Sequence, residues 1–369
     1  MKVLLIANEY TTIINFRMEL VKSIIDAGHT VAVALPDHER NEEIREAGCY
    51  LFSLPMERKS KNPFKDFRIV HRIYRILKNY APDIVFTFTI KPNVYGGMAC
   101  AMKRVPYVAT ITGLGSSIQN DGLMRRISLT MYGIGLKKAR KVFFQNTDNR
   151  DFLLKRKVYA GPYDMIPGSG VNLSRFHLMD YPAENTLNFV FVARVMKEKG
   201  IEEFLEMCTC IGQKYPQTRF HVCGPCEESY RTQLKELEKR GAIIYHGMVK
   251  DMPRIYAFAH CIVHPSYHEG MANVLLESAA CGRAVIASNI AGCREVVESG
   301  VNGFLATAGN SKSLIEQVEK FIALSPEERK RMGIAGRKKM EKEFDRQTVV
   351  KTYLKTIDEL ESFGNRSKT

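Results

Sequence analysis

Apolar residues follow two rhythms along this chain. Short continuous runs at Lys2–Ala7, Val31–Leu35, Asp83–Phe88, Pro106–Thr110 and Val142–Gln145 predict buried strands. Between the first two, Phe16, Met18, Leu20, Val21 and Ile24 recur at helical spacing and stop at Gly28. A polar turn over Asn8–Thr12 joins the first strand to this helix. Strand, helix, glycine stop and strand make a βαβ unit, the building block of parallel sheets. Gly161-Pro162, Pro167-Gly168 and Gly170 then break every pattern. After them the alternation restarts. Strands are predicted over Asn188–Ala193, Arg219–Gly224, Ala242–His246, Cys261–His264 and Gly282–Ala287, and helices over 251–258, 274–280, 311–323, 326–343 and 346–361. The pattern predicts an α/β chain with two parallel-sheet domains, whose ligand sites lie beyond the strand C-termini.

Composition agrees with that reading. The 369 residues, 45% apolar and 25% charged, are too many for one ordinary domain and suit two. No apolar run approaches the roughly 18 residues of a membrane span. The N-terminal run stops at Asn8-Glu9, so it reads as a strand, not a secretory signal. Nine cysteines at irregular spacing predict reduced thiols and a cytoplasmic protein. Cys223 and Cys226 have the spacing of a redox pair but lie outside a thioredoxin-like pattern. Cys208 and Cys210 sit two apart on a helix and point to different sides, which argues against a zinc set.

Charge is uneven. Residues 1–160 hold 26 Lys and Arg against 14 Asp and Glu, which is +12 of the chain's +14. Such a bias suits an anionic partner or a merely soluble basic surface. Its densest stretch, 56–80, carries Arg58, Lys59, Lys61, Lys65, Arg68, Arg72, Arg75 and Lys78 around a helix opened by Asn62-Pro63. The apolar face of that helix, Phe67, Val70, Ile73, Ile76, Leu77 and Tyr80, suits either an anionic membrane surface or packing on a sheet. A second basic set, Arg125, Arg126, Lys137, Lys138, Arg140 and Lys141, surrounds an apolar helix at 123–141.

Candidate chemistry centres on 267–277. Glu269 and Glu277 stand eight residues apart, the first in a loop beside Gly270, the second on a helix. A helix N-terminus between them holds phosphate well, and the two carboxylates can grip sugar and ribose hydroxyls. As an isolated pair they also read as a solvated acid and a helix-face acid. Arg194 follows a strand, and Lys199 precedes a helix five residues on. Fixed cations there would steady a departing diphosphate. The chain carries no Asp-x-Asp motif for a metal. In the first half, Lys91 follows a strand and suits a phosphate or an acceptor hydroxyl. Arg17, in Asn15-Phe16-Arg17, reads equally as an anion contact and as a helix-surface charge. The run Thr112–Ser117, with Gly113 and Gly115, lets backbone approach a ligand.

The series Glu269-Gly270, Asn273, Leu276-Glu277, Ala280 and Gly282 resembles the donor-binding signature of retaining family 4 glycosyltransferases. Arg194 with Lys199, Gly224-Pro225, and the run Ile166–Phe176 match that family in its order, with Asn172 where an aspartate is usual. Thr89-Ile90-Lys91-Pro92-Asn93 followed by Thr112-Gly113-Leu114-Gly115-Ser116 resembles the bacterial branch that extends undecaprenyl-diphosphate-linked sugars. The resemblance implies the GT-B architecture: two facing Rossmann-like domains with parallel sheets. The acceptor domain would span 1–165 and the nucleotide-sugar domain 166–345. A helix and tail at 346–369 would cross back to the first domain.

It also implies site roles. Glu269 and the backbone of Gly270, Met271, Ala272 and Asn273 would hold sugar and phosphate, and Glu277 the ribose. Arg194 and Lys199 would neutralise the diphosphate, while Gly224 and Val249 would line the nucleotide. Asn15, Arg17, Lys91, Gly113 and Gly115 would face the acceptor, with Glu269 and Lys91 as the catalytic candidates. Many relatives carry a histidine near the position of Lys91; this chain does not. The expected activity is metal-independent, cofactor-free, retaining transfer from a UDP-sugar to a lipid-diphosphate-linked glycan, at the inner face of the cell membrane. The rivals are a nucleotide-sugar epimerase or hydrolase of the same fold, and a basic binder of membrane or nucleic acid. No nucleic-acid motif supports the last.

Overall fold

The structure is a computed structural model that describes residues 1–56, 63–115, 118, 122–183 and 185–366, with backbone alone for 63–67 and 363–366. Arg58, Lys59, Lys61, Asn62, Ser116 and Ser117 of the sequence reading lie outside these residues, as do the Lys65 and Phe67 side chains. The chain divides into two compact units, one of residues 1–169 and 347–369, the other of 170–346.

The first unit contains β1 (Lys2–Ile6), α1 (Tyr10–Ile14), α2 (Met18–Asp26), β2 (Thr30–Leu35), α3 (Glu42–Glu46), β3 (Tyr50–Ser53), α4 (Pro63–Tyr80) and β4 (Ile84–Phe88). It continues with α5 (Gly97–Lys103), β5 (Tyr107–Ile111), α6 (Leu123–Leu136), β6 (Lys141–Phe144), α7 (Thr147–Lys155) and β7 (Tyr163–Met165). The strands form one seven-stranded sheet in the order β3-β2-β1-β4-β5-β6-β7, every neighbour pair parallel. Strand order reverses between β1 and β4, which opens a crevice beyond their C-terminal ends. β4 and β5 are buried along their whole length, as strands covered on both faces must be.

The second unit contains β8 (Leu187–Val192), α8 (Ile201–Lys214), β9 (Thr218–Cys223), α9 (Glu228–Lys239), β10 (Ile244–Gly247), α10 (Met252–Phe258) and β11 (Cys261–His264). Then come α11 (Asn273–Ala280), β12 (Ala284–Ser288), β13 (Gly303–Ala306), α12 (Ser311–Ala323) and α13 (Pro326–Glu343). Its six strands run parallel in the order β10-β9-β8-β11-β12-β13, so the reversal falls between β8 and β11. The last helix, α14 (Arg346–Arg366), returns to the first unit. Val349, Val350, Tyr353 and Ile357 are buried there among residues of β1, β2 and β4. The Tyr353 ring meets Phe143 and Phe86 edge-on at 4.9 and 5.2 Å, and its hydroxyl lies 2.7 Å from Thr110 Oγ1.

Two local readings change. The expected polar turn at Asn8–Thr12 is helical from Tyr10. The Thr89–Asn93 motif runs into a π-turn over Pro92–Gly96 that leads directly into α5. Gly97 is there because α5 crosses α6 closely: a Cβ on Gly97 would fall 1.9 Å from the Gly135 carbonyl oxygen. The apolar side of α4 is not open to a membrane. Ile69, Ile73, Ile76, Leu77 and Tyr80 pack on the sheet, while Arg68, His71, Arg72, Arg75, Lys78 and Asn79 face outward. Helical spacing shows that a helix has an apolar face, not what covers it.

Candidate active site

The second unit gathers its chemistry at the β8/β11 reversal. Beyond β8, Ala193-Arg194 runs into a 3₁₀ turn at Lys197–Lys199. Gly200 ends that turn in the left-handed region, at φ 73°. A side chain there would meet Pro265, since a Cβ would lie 2.1 Å from its carbonyl oxygen. The turn therefore lies directly against the loop that follows β11. Two further contacts clamp the loop: Tyr267 N–H donates to the Glu198 carbonyl at 3.0 Å, and the Tyr267 hydroxyl to Glu203 Oε1 at 2.6 Å.

This clamp sets up a three-residue cluster. Lys199 Nζ donates to Glu269 Oε1 at 2.6 Å, and His264 Nε2 lies 2.8 Å from the same oxygen. Burial raises the carboxyl's pKa, but the Lys199 ammonium and the His264 bond outweigh it and hold Glu269 at about 2. Glu269 is thus a carboxylate, and the proton between it and His264 resides on Nε2. His264 is buried at the end of β11, and its Nδ1 has no hydrogen-bond partner among the described residues. Both partners sit on Oε1, and no hydrogen bond to Oε2 is seen among the described residues.

Gly270, Met271 and Ala272 are buried and lead into α11. Ala272 N–H donates to the Gly292 carbonyl at 3.0 Å. Gly292 has φ 82°, and a Cβ on it would come within 2.8 Å of the Gly270 carbonyl oxygen and 2.9 Å of Glu269 Cβ. Asn273 is the first residue of α11, whose N-terminus has no side-chain cap and no acidic residue in its first turn. Its positive dipole end is thus not countered by a local acid.

Glu277 lies one turn further along α11 in a different setting. Tyr256, fully buried on α10, donates its hydroxyl to Glu277 Oε2 at 2.9 Å. Burial pushes the Glu277 carboxyl up to about 7; the Tyr256 bond and the charges of Arg346 and Arg175 pull the other way and do not win. Arg283, also fully buried, secures α10. Its guanidinium donates to the carbonyls of Tyr256 at 2.6 Å, Asp180 at 2.7 Å and Ala257 at 3.2 Å.

The remaining donor candidates border this cluster. Gly224, at φ 139°, donates its N–H to the Gly247 carbonyl at 2.7 Å, and a Cβ on it would overlap the Ala193 carbonyl. That close approach sets the Gly224-Pro225 loop beside Arg194. Val249 is partly buried against the apolar cluster that contains Leu275 and Leu276. Burial raises the thiols of both Cys223, to about 12, and Cys226, the opposite of the activation a redox pair needs. Among the described residues no group of three or more His, Cys, Asp or Glu could hold a metal ion.

In the first unit the candidates spread around the β1/β4 crevice. Arg17 is buried: its Nη1 donates to the Thr12 carbonyl at 2.9 Å, and its guanidinium lies 4.1 Å from the Phe88 ring centre. It is not a helix-surface charge. Asn15 is exposed, with Oδ1 accepting from Arg40 at 3.3 Å. Lys91 is half-buried where the π-turn begins. Gly113 and Gly115 have φ 141° and 76°, and a Cβ on Gly115 would strike Ile90 Cδ1 at 2.5 Å. Asn93 is fully buried, accepting from Thr87 Oγ1 and donating to the Thr110 carbonyl, both at 2.8 Å. It ties β4 to β5.

Sequence reading missed His264, Tyr256 and Arg283. His264 looked like the end of a strand and Tyr256 like one position of a helix; only folding brings them to the two glutamates. Gly292 gains its role only from the fold, through its close approach to Gly270 and Glu269.

Residues 2–146 match the family model described as glycosyl transferase 4-like, and residues 181–339 that of glycosyl transferases group 1. A Campylobacter jejuni protein, N,N'-diacetylbacillosaminyl-diphospho-undecaprenol alpha-1,3-N-acetylgalactosaminyltransferase, is 26% identical over 97% of this chain and 98% of its own. The Escherichia coli UDP-Gal:alpha-D-GlcNAc-diphosphoundecaprenol alpha-1,3-galactosyltransferase is 25% identical over 72% of each chain. Among solved structures, Anabaena HepE in complex with UDP and glucose superposes with a TM-score of 0.80 at 18% identity, over 97% of this chain and all of its own. A sucrose-phosphate synthase from Thermosynechococcus elongatus gives 0.78 at 19% identity, over 98% and 99%. Both halves of the chain match glycosyltransferase families, and each carries a parallel Rossmann-like sheet: the protein is a glycosyltransferase with the GT-B fold.

Proposed function

We propose that the enzyme transfers a hexose or N-acetylhexosamine from a UDP-sugar to a lipid-diphosphate-linked glycan, with retention at the anomeric carbon. It would act at the cytoplasmic face of the membrane, without a metal. The names of the Campylobacter and Escherichia coli relatives support the lipid-diphosphate acceptor, and the latter name together with the HepE complex supports UDP. The observation that carries the donor site is Glu269. Lys199 and His264 occupy one oxygen of a permanently ionised carboxylate, and the other is left for the sugar hydroxyls.

The chemistry follows from these groups. The α11 N-terminus, the Lys199 ammonium and Arg194 receive the diphosphate. As the bond from the anomeric carbon to the diphosphate oxygen breaks, its electron pair moves onto that oxygen, where fixed cations stabilise it. The acceptor hydroxyl attacks the same face and passes its proton to the departing phosphate. Glu277, steadied by Tyr256, takes the ribose hydroxyls. Lys91 and the Gly113–Gly115 backbone serve the acceptor.

The test is thermal denaturation with UDP and UDP-sugars in the presence of EDTA, on wild type and Glu277→Ala. Binding to the folded state alone raises the midpoint, by about 2.7 kcal/mol of stabilisation at a hundred times Kd. A UDP-dependent shift in wild type that is much smaller in the variant supports the reading. No shift with any nucleotide sugar overturns it. Sugar release from a UDP-sugar at the same rate with and without acceptor would instead establish a hydrolase.

A further inference from the structure

Helix α6 of the first unit presents an apolar face that no other described residue of that unit covers. Leu123 is 73% exposed, Ile127 47% and Ile134 46%, with Met124 at 45%. At 100° per residue, Leu123, Ile127 and Ile134 fall within about 40° of one another, so they form one stripe. The opposite side anchors the helix. Tyr132 and Leu136 are buried, the Gly135 carbonyl accepts from Tyr107 Oη at 2.7 Å, and a Cβ on Gly135 would lie 2.6 Å from Val94 Cα. The exposed stripe therefore belongs to a helix whose position is fixed. Solvent-exposed apolar side chains in a row mark a contact surface.

The charges say what it contacts. Beside the stripe stand Arg126 and Lys137, both exposed, followed by exposed Lys138 and Arg140. No acidic residue occurs in Leu123–Leu136. The helix is about 21 Å long at 1.5 Å per residue, too short to span a bilayer. No described helix is long and apolar enough to cross one. An exposed apolar stripe with basic flanks and no acid suits the interface of an anionic bilayer, where Leu and Ile enter the acyl boundary while Arg and Lys remain among the headgroups. α4 lacks this combination, because its apolar side is already packed on the sheet.

We infer that α6 docks the enzyme on an anionic phospholipid surface through Leu123, Ile127 and Ile134, with Arg126, Lys137 and Lys138 at the headgroups. The inference rests on the membrane part of the proposed function and needs no catalysis to be tested.

The experiment is sedimentation of the whole protein with vesicles of phosphatidylglycerol and phosphatidylethanolamine, compared with phosphatidylcholine alone. The wild type is expected to bind the anionic vesicles. Leu123→Ser with Ile127→Ser lowers the partition coefficient about tenfold or more at every salt concentration. Arg126→Glu with Lys137→Glu lowers it about tenfold at low salt and little at high salt. Arg72→Glu with Arg75→Glu on α4 leaves the salt-resistant part unchanged. These positions are exposed or half-exposed, so circular dichroism and the thermal midpoint are expected to match wild type. Unchanged binding of the serine pair overturns the proposal. So does a wild-type dimer in sedimentation equilibrium that the serine pair dissociates, since a second copy would then cover the stripe. A UDP-induced thermal shift is measured on every variant. Its absence from wild type, with vesicle binding still lost in the serine pair, would fail the donor reading and leave the docking surface standing.

Discussion

Glu269 and Glu277 share a residue type, a motif and a short stretch of chain, yet their surroundings drive them apart. Glu269 is held at about 2 by an ammonium and an imidazole; Glu277 is pushed to about 7 by burial that the bond from one tyrosine and the charges of two arginines do not offset. The first is a fixed negative charge throughout the physiological range. The second is near half-ionised at neutral pH in the empty enzyme. A permanent charge suits a group that must orient a cation and a sugar at the reacting end. A group that gains its charge as hydroxyls arrive suits recognition of the nucleoside end.

That contrast can be broken most severely at Lys199. Lys199→Met removes the ammonium and leaves the Glu269 carboxylate with His264 as its one remaining partner among the described residues; kcat is expected to fall about a hundred- to a thousandfold, with partial recovery in Lys199→Arg. Replacing the carboxylates themselves comes next. In steady-state kinetics Glu269→Gln is expected to lower kcat/KM about a hundredfold, mostly through kcat. Glu277→Gln should lower it about tenfold, mostly through the KM for the nucleotide sugar. Equal effects on the same parameter would erase the distinction.

pH sharpens the comparison. Ribose hydroxyls favour the ionised form of Glu277, so below about pH 7 the site must first lose a proton. UDP affinity is expected to weaken by up to tenfold per pH unit there. UDP itself takes up a proton in that range, so the measurement is the difference between wild type and Glu277→Gln by calorimetry. Stability follows the same logic. Between pH 4.5 and about 7 the folded state holds a proton on Glu277 that the unfolded chain has lost, so this group's contribution to stability falls as pH rises through that window. Glu277→Gln should therefore raise Tm by a few degrees at pH 8 and hardly at all near pH 4. Glu269 runs oppositely: its contribution is present above pH 4.5 and lost as pH falls toward 2. The smallest effect is at His264. His264→Asn, which keeps a donor in reach of Oε1, is expected to cost less than tenfold in kcat/KM, against about tenfold for His264→Ala.

Much of the fold was legible because parallel strands covered on both faces must be continuous apolar runs, and β1, β4, β8 and β11 are such runs. The exposed edges were not: β3 and β7 are only partly buried and carry mixed residues. Glu269, Lys199 and Glu277 were singled out by the family resemblance; by spacing alone the two glutamates read equally as a solvated acid and a helix-face acid. His264 was not singled out, because its significance is a 2.8 Å contact made only after the 265–268 loop folds back. The two basic helices show the same limit in another form. α4 and α6 both read as amphipathic with cations around them, but one turns its apolar face inward and the other outward. Which face is covered depends on the neighbours a helix finds, and periodicity does not name them.

The return of α14 has a consequence for the order in which the protein is made. Tyr353 fills the space between Phe86, Phe88 and Phe143 in the first unit, yet it is translated after the whole second unit. On the ribosome the first half emerges with a gap in its core that closes only when residues 347–366 have cleared the exit tunnel. The second unit, uninterrupted from 170 to 346, has no such wait. The half translated first is thus the half completed last.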